Sequence, residues 1–121
     1  MEIRVVNLKE KAGLIHELHS YKAVAQLNNY LIKLVKAKRE FIWHHHDDTD
    51  ELFMVVEGSM QIALRDRTLD LHEGDLVVIP KGVDHKPVCE TECTVLLLEP
   101  AGTCNTGNAG GELTDDKVTR I

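Results

Sequence analysis

Residues 43–51 have the sequence WHHHDDTDE, in which three consecutive histidines precede a run of acidic residues. On a β-strand, residues two positions apart share a face, so His44 and His46 would point to one side and His45 to the other. Two imidazoles on one face can bind a divalent metal ion at roughly 2.0–2.1 Å, the usual zinc–nitrogen distance. This segment therefore predicts half of a metal site, with a solvated turn as the alternative.

Two further residues can complete such a site. Glu51 begins the apolar run after the acidic turn and can offer a carboxylate oxygen from an adjacent strand. His85 lies far along the chain and begins another strand-like stretch. A one-residue bulge would bring Asp50 to the position of Glu51, so Asp50 is the rival ligand. Three other histidines lie in polar surroundings that are typical of the surface, namely His16, His19 and His72.

Short apolar runs, several with a two-residue alternation, cover most of the chain from residue 22 onward. The clearest of these runs lie at 30–35, 41–46, 52–56, 60–64, 69–71, 76–79 and 94–98. Turn-like clusters separate the runs, and no helical pattern lies between them. About seven or eight short strands at this spacing predict an all-β sandwich or barrel and exclude alternating βαβ units.

A short helix is predicted near the N-terminus, at residues 7–13. Asn7 can cap its first turn, and Glu10 lies at the reciprocal position of a capping box. Gly13 can end the helix, because glycine readily takes the backbone conformation that follows a last helical turn.

The chain of 121 residues is long enough for one domain with a sizeable core and too short for two. It divides into an N-terminal helical segment at 1–21, a barrel at 22–100 and a tail at 101–121. The tail is rich in glycine, asparagine and threonine, so it is expected to run over the surface or onto a partner subunit.

The composition excludes several function classes. Asp plus Glu number 20 and Lys plus Arg 14, so the net charge is −6, and binding to nucleic acid or an anionic membrane is not expected. No run approaches the roughly 20 apolar residues of a membrane span, and no secretory signal is recognised. The three cysteines, an odd number, predict free and mostly buried thiols and a cytoplasmic location; they are Cys89, Cys93 and Cys104.

Two spaced motifs run through the middle of the chain and resemble the two signature motifs of the cupin superfamily. The family patterns are G-x5-H-x-H-x(3,4)-E-x6-G and G-x5-P-x-G-x2-H-x3-N. The matching residues are His44, His46, Glu51, Gly58, Gly74, Pro80, Gly82 and His85. At about 5% usage per residue type, these matches in register have a chance probability of order one in ten billion per placement.

Two positions depart from the cupin patterns. The first glycine of the family falls on Lys38, which indicates a different turn before the histidines and not a lost site. The final asparagine falls on Cys89, which shares the inward face of a regular strand with His85. A thiol there can ligate a metal, be oxidised or pack; we expect packing, because free cysteine behaves as a small hydrophobic residue.

The resemblance implies a fold and a ligand set. Cupins are small jelly-roll barrels, or double-stranded β-helices, with a metal ion inside, and the ligand positions fall on His44, His46, Glu51 and His85. The implied cofactor is one divalent transition metal, with Fe, Mn, Zn, Ni, Co and Cu all compatible. The tail also looks like that of small single-domain cupins of the mannose-6-phosphate isomerase-like kind. Because small cupins commonly pair, a homodimer is expected.

Side-chain parity with the ligands predicts a pocket wall made of Phe53, Val55, Ile32 and Leu34, with Tyr30 at its mouth. The first functional hypothesis is a metal-dependent enzyme that acts on a small polar molecule by oxygenation, isomerisation or lyase chemistry. The alternatives are a non-catalytic small-ligand-binding or sensor cupin, and a structural barrel with an adventitious metal. No catalytic residue is assigned, because no further acid–base group is clearly placed inward.

Overall fold

The computed structural model of the chain describes residues 2–115 and 117–121 and consists mainly of antiparallel strands. Its elements are α1 (Leu8–Ala12), β1 (Lys22–Leu27), β2 (Tyr30–Glu40), β3 (Glu51–Glu57), β4 (Ser59–Ala63), β5 (Thr68–His72), β6 (Leu76–Ile79), β7 (Lys86–Pro100) and β8 (Thr119–Arg120). The all-β class with a short N-terminal helix is confirmed.

β7 is the central strand of the sheet. It pairs antiparallel with β2, β3 and β4. The strand order is β5-β4-β7-β2-β1-β8, and β3 also pairs with β6. β7 can pair with three strands because it has 15 residues, of which the first few pair with β4 and the later ones with β3. The strands roll into the predicted jelly-roll barrel.

The hydrophobic core fills the interior of the roll. Alternate residues of the strands point inward, as the two-residue periodicity requires. The buried cluster consists of Tyr21, Val35, Phe53, Val55, Met60, Ile62, Leu71, Ile79, Cys89, Cys93, Val95 and Leu97.

The capping residues of α1 behave as predicted at its start. The Asn7 side chain accepts a hydrogen bond of 2.9 Å from the backbone N–H of Glu10. Gly13 ends the helix with φ −62°, so it does not use the left-handed conformation.

The turn between β3 and β4 requires glycine at position 58. Gly58 has φ +83°, and a Cβ there would lie 3.2 Å from the Cβ of Cys93. Both the left-handed backbone and the close approach of β7 exclude a larger residue. The motif glycine is therefore a structural requirement of the barrel.

The strand predicted at 41–46 is wrong. Only His44 pairs there, in an isolated bridge with His85. The carbonyl of His46 accepts a hydrogen bond of 2.8 Å from Gly82 N, so the segment follows a loop and does not extend the ladder. The side chains of His44 and His46 are nevertheless both buried, as strand parity predicted.

The tail packs on its own chain. Asn105 and Thr106 are buried, and the hydroxyl of Thr106 lies 2.6 Å from that of Thr114. Near the end of the chain, β8 pairs in parallel with β1. The described part of the tail therefore contacts the barrel of its own chain.

Candidate metal centre

The four residues at the cupin ligand positions converge inside the barrel. His44, His46, Glu51 and His85 each offer one ligand atom, and these atoms all lie within 4.8 Å of one another. The residues are 2%, 7%, 2% and 1% exposed, respectively. A buried cluster of three imidazoles and one carboxylate has the donor types and the compactness that a single transition metal requires.

Backbone contacts hold two of the imidazoles in a ligating orientation. Nδ1 of His44 lies 2.9 Å from the carbonyl oxygen of Ile42, and Nδ1 of His85 lies 2.9 Å from that of Val83. Because a carbonyl only accepts, Nδ1 of each ring donates the hydrogen bond and carries a proton. Nε2 of each ring then faces the centre of the cluster, as in protein metal sites whose histidines are oriented by outer hydrogen bonds.

Glu51 is the first residue of β3 and lies between two of the imidazoles. Its Oε1 is 3.2 Å from Nε2 of His46 and 3.2 Å from Nε2 of His85. Its rival Asp50 is exposed and accepts a hydrogen bond of 2.9 Å from the backbone N–H of Lys81. The structure therefore places Glu51, and not Asp50, in the cluster.

The environment favours the protonation states that ligands need. Burial lowers the pKa of His44 to about 4. Burial acts to raise the pKa of Glu51, but the neighbouring imidazoles of His46 and His85 outweigh it and hold the pKa well below its usual range. At neutral pH His44 is therefore neutral and Glu51 is charged, the forms in which both bind metals.

His45 lies on the other side of the segment. Its Nδ1 is 2.9 Å from Asp84 and its Nε2 is 2.9 Å from Asp47. The hydrogen bond to Asp84 raises the pKa of this exposed imidazole. The tail covers the same residue, because the backbone N–H of His45 donates to the Asn108 side chain and its carbonyl accepts from Asn108 N. The tail thus holds the histidine segment against the barrel.

A cavity of about 30 Å³, open to solvent at one side, adjoins the cluster. Most of its walls are apolar, and its lining includes His44 and Glu51. The other lining residues are His19, Tyr21, Val35, Ala37, Arg39, Phe41, Phe53, Met60, Pro87, Cys89, Val95, Leu97 and Asn105. A small molecule in this cavity would lie next to the ligand cluster.

The predicted pocket wall is correct in part. Phe53 lines the cavity, and Val55 is buried in the core below it. Ile32 and Leu34 do not line the cavity, because the odd-numbered residues of β2 face inward. Tyr30 lies in a separate outer groove. Both faces of β2 carry apolar residues, so its periodicity alone could not identify the inward face.

His19 does not lie on the surface as predicted. It is half-buried, stacks on Phe41 with ring centroids 5.8 Å apart, and lines the cavity. Arg39 is a second basic residue of the same wall. Both have left-handed backbone, with φ +57° for His19 and +68° for Arg39. Such conformations are strained for residues other than glycine and concentrate at functional sites.

A buried polar group beside the cluster was not recognised in the sequence. Lys33 Nζ and Glu99 Oε1 form an ion pair of 2.8 Å inside the barrel. Burial and the charge of Glu51 raise the pKa of Glu99 well above its usual range, although Lys33 opposes this. The sequence feature that could have revealed this pair is the charged residue at position 33, which lies within the apolar alternation of β2.

The prediction of free thiols at Cys89 and Cys93 is wrong, because these two residues form a disulfide. Both are buried in the core, and Cys89 lines the cavity without joining the ligand cluster. Cys104 is a free, exposed cysteine. The cysteine content therefore no longer supports the predicted cytoplasmic location, which stays a prediction.

No helix in the described part of the chain is long and apolar enough to cross a membrane.

Comparisons with known proteins agree with this architecture. The model of the cupin domain family matches residues 31–99. YdbB of Bacillus subtilis is 36% identical over 84 residues, which are 69% of this chain and 74% of YdbB.

Solved structures give the same result. A cupin-2 domain containing protein from Shewanella frigidimarina is 47% identical with a TM-score of 0.78, covering 79% of this chain and 94% of that one. A protein from Neisseria meningitidis is 29% identical with a TM-score of 0.74, covering 81% and 100%. KdgF from Halomonas is 26% identical with a TM-score of 0.58, covering 66% and 78%. The isomerase-like subtype stays a prediction, but the chain belongs to the cupin superfamily.

Proposed function

We propose that this cupin binds one divalent transition metal through His44, His46, Glu51 and His85 and is an enzyme acting on a small polar molecule. The observation that supports this proposal is the buried cluster of three imidazoles and one carboxylate in the wall of a cavity. The fit to a metal is supported by Nε2 of His46, which is buried and has no hydrogen-bond partner among the described residues.

The ligand set defines the chemistry that is available. Imidazole and carboxylate ligands suit Fe, Mn, Zn, Ni, Co and Cu. Four protein ligands leave positions open, and a bound metal would supply Lewis-acid or oxygen-activating chemistry there. The chain itself keeps His44 neutral, orients His44 and His85 through backbone carbonyls and shields the cluster from bulk water. Oxygenation, isomerisation and lyase chemistry are all compatible with such a site.

The lining of the cavity supports a small polar substrate. A small molecule that enters it would contact mostly apolar walls, while a few polar groups would orient it. Those polar groups, apart from the ligands, are His19, Arg39, Tyr21 and Asn105. Such convergence of polar groups in a largely apolar pocket next to a metal site is typical of a substrate site.

One observation favours a second candidate, a non-catalytic ligand-binding or sensor cupin. Apart from the ligand cluster, the described residues that line the cavity include one histidine, His19, and no carboxylate. Burial, with Glu51 and Glu99 nearby, raises the pKa of Tyr21 far above neutrality, so its hydroxyl stays neutral. A site with few titratable groups can hold a ligand without proton transfer.

Metal loading and a substrate screen distinguish these candidates. Metal-free protein is reconstituted with each of the six metals and screened against sugar acids, keto acids and amino acids for depletion and oxygen consumption. Turnover that requires the metal and is lost in His46→Ala would support the enzyme. Saturable, metal-dependent ligand binding without turnover would support the sensor. Failure to bind any of the six metals would contradict both candidates.

A homodimer is the second part of the proposal. The outer face of β3, β6 and β7 carries aliphatic side chains in register, here called the outer patch: Leu52, Met54, Leu76, Val78, Leu96 and Leu98. Leu76 and Val78 are 58% and 47% exposed, and none of the six residues is charged. A contiguous apolar patch of this kind can meet its own copy across a two-fold axis. We propose that a second copy of this chain covers the outer patch.

A further inference from the structure

An ion pair lies in the interior of the barrel, where charged groups are rarely found. Nζ of Lys33 on β2 is 2.8 Å from Oε1 of Glu99 on the neighbouring strand β7. The side chains are 2% and 0% exposed. Taking both charges out of water is costly, and well-packed apolar residues in their place are often equally or more stabilising. The fold alone therefore does not explain why this barrel contains the pair.

The position of Glu99 suggests what the pair does. One carboxylate oxygen accepts from Lys33, while Oε2 is buried and has no hydrogen-bond partner among the described residues. Glu99 is also the cross-strand neighbour of Glu51, because Leu52 of β3 pairs with Leu98 of β7, and both carboxyl groups are buried. Glu51 thus lies close to two ligand imidazoles and beside the strand position that carries Glu99.

We propose that Lys33 and Glu99 are positioning residues that hold the Glu51 carboxylate in its ligating orientation. Lys33 donates a hydrogen bond to Glu99 and so holds a second carboxyl group beside the ligand. Glu99 then restricts the rotation of the Glu51 side chain. Outer groups of this kind typically change metal affinity by about 10–100-fold when they are removed. This inference rests on the proposed metal site but does not require catalysis.

The test replaces the pair as a unit. In the double variant Lys33→Met/Glu99→Leu, no unpaired charge is left in the interior, so a folded barrel is expected. Cobalt(II) affinity is measured by calorimetry, and the ligand field of the bound cobalt by visible absorption. The matched control is Lys38→Met/Glu90→Leu, which makes the same changes at exposed positions of β2 and β7.

The expected result is a loss of cobalt affinity of about 10–100-fold in the double variant, with a shifted visible spectrum and near-normal thermal stability. The control should match the wild type in all three measurements. If the double variant binds cobalt with unchanged affinity and spectrum, the pair has only a structural role and the inference is wrong.

A single substitution keeps the test decisive if the double variant does not fold. Glu99→Gln retains the shape of the side chain and replaces its carboxyl group by an amide, and it should also weaken cobalt binding and shift the spectrum. Unchanged binding in this variant would overturn the inference. Cobalt binding without turnover of any substrate would contradict only the proposed enzyme, whereas a wild-type protein that binds neither cobalt nor any of the other five metals would refute both proposals.

Discussion

His44 and His85 hold each other in place through their main chains. The N–H of His44 donates to the carbonyl of His85 at 3.0 Å, and the N–H of His85 donates to the carbonyl of His44 at 2.9 Å. Their rings lie with centroids 4.3 Å apart. Because this backbone bridge joins the two motifs directly, the imidazoles are brought together by the fold and not by an ion. A site organised in this way has little ordering entropy left to lose when it binds a ligand.

Substitution of a single histidine should distinguish the two sides of the histidine segment. His46→Ala removes a buried ligand and should abolish stoichiometric metal binding. His45→Ala, the matched control, removes a ring that contacts only carboxylates outside the cluster and should leave about one metal per chain. The measurement is elemental analysis of tag-free protein. Metal loss in His45→Ala with retention in His46→Ala would contradict the assigned ligand set.

The stability of the metal-free protein should depend on pH through His44. Burial lowers its folded pKa to about 4, against 6.5 in the unfolded chain. Between these values the unfolded chain binds the proton and the folded chain does not, so acidification favours unfolding. The free energy of unfolding should fall by up to about 3 kcal/mol as pH falls from 6.5 to 4.

Urea titrations of EDTA-treated protein at several pH values measure this dependence. His44→Gln should flatten the pH dependence, and His72→Gln, at an exposed position, should leave it unchanged. If the free energy of unfolding of His44→Gln still falls with pH, groups other than His44 cause the dependence.

The contact between the tail and the histidine segment should depend on glycine at position 107. Gly107 has φ +54°, and a Cβ there would overlap the carbonyl oxygen of His45. Gly110 also has positive φ, +65°, but its Cβ would meet nothing within 4 Å. Gly110→Ala should therefore lower the free energy of unfolding by only about 1–2 kcal/mol, the cost of a left-handed backbone at a residue with a Cβ. Gly107→Ala should lower the free energy of unfolding by about 3 kcal/mol or more, because the steric overlap with His45 adds to the backbone cost.

Thermal unfolding of the two alanine variants checks this difference. Metal affinity should fall in Gly107→Ala alone, since the tail contacts the histidine segment there. Equal destabilisation of both variants would show that the contact with His45 contributes nothing.

The outer patch should determine the oligomeric state. Val78→Lys introduces a charge among exposed aliphatic residues and should convert a dimer into a monomer at micromolar concentration. Val83→Lys is the control, because Val83 is exposed to a similar degree, at 37%, but lies outside the patch. Light scattering coupled to size exclusion measures the mass. A wild-type monomer, or a dimer that persists in Val78→Lys, would contradict the proposed interface.

The four members of the buried cluster could be predicted because cupin motifs are local patterns with fixed spacing. His44-x-His46 places two rings on one side of an extended segment, and the turn glycines Gly58 and Gly82 have the positive φ that their positions require. These features depend on near neighbours in the chain. His44 and His46 share a side even though the regular strand at 41–46 does not form, because this alternation of side chains needs only an extended backbone.

The features that sequence could not predict all depend on partners distant in the chain. The inward face of β2 is decided by its register with β7, and both of its faces are apolar enough to be buried. The Cys89–Cys93 disulfide depends on the path of β7 past its register shift with β2. The pairing of Lys33 with Glu99 depends on the same two strands.

The sequence by itself thus determined the fold class, the turns and the types of side chain available for a metal, since short-range spacing and periodicity encode them. Only the tertiary structure decided which apolar face lines the cavity, and that Glu51 is the cross-strand neighbour of a residue in a buried ion pair. Those relationships arise when strands far apart in the chain align in one register, and no local pattern contains that alignment.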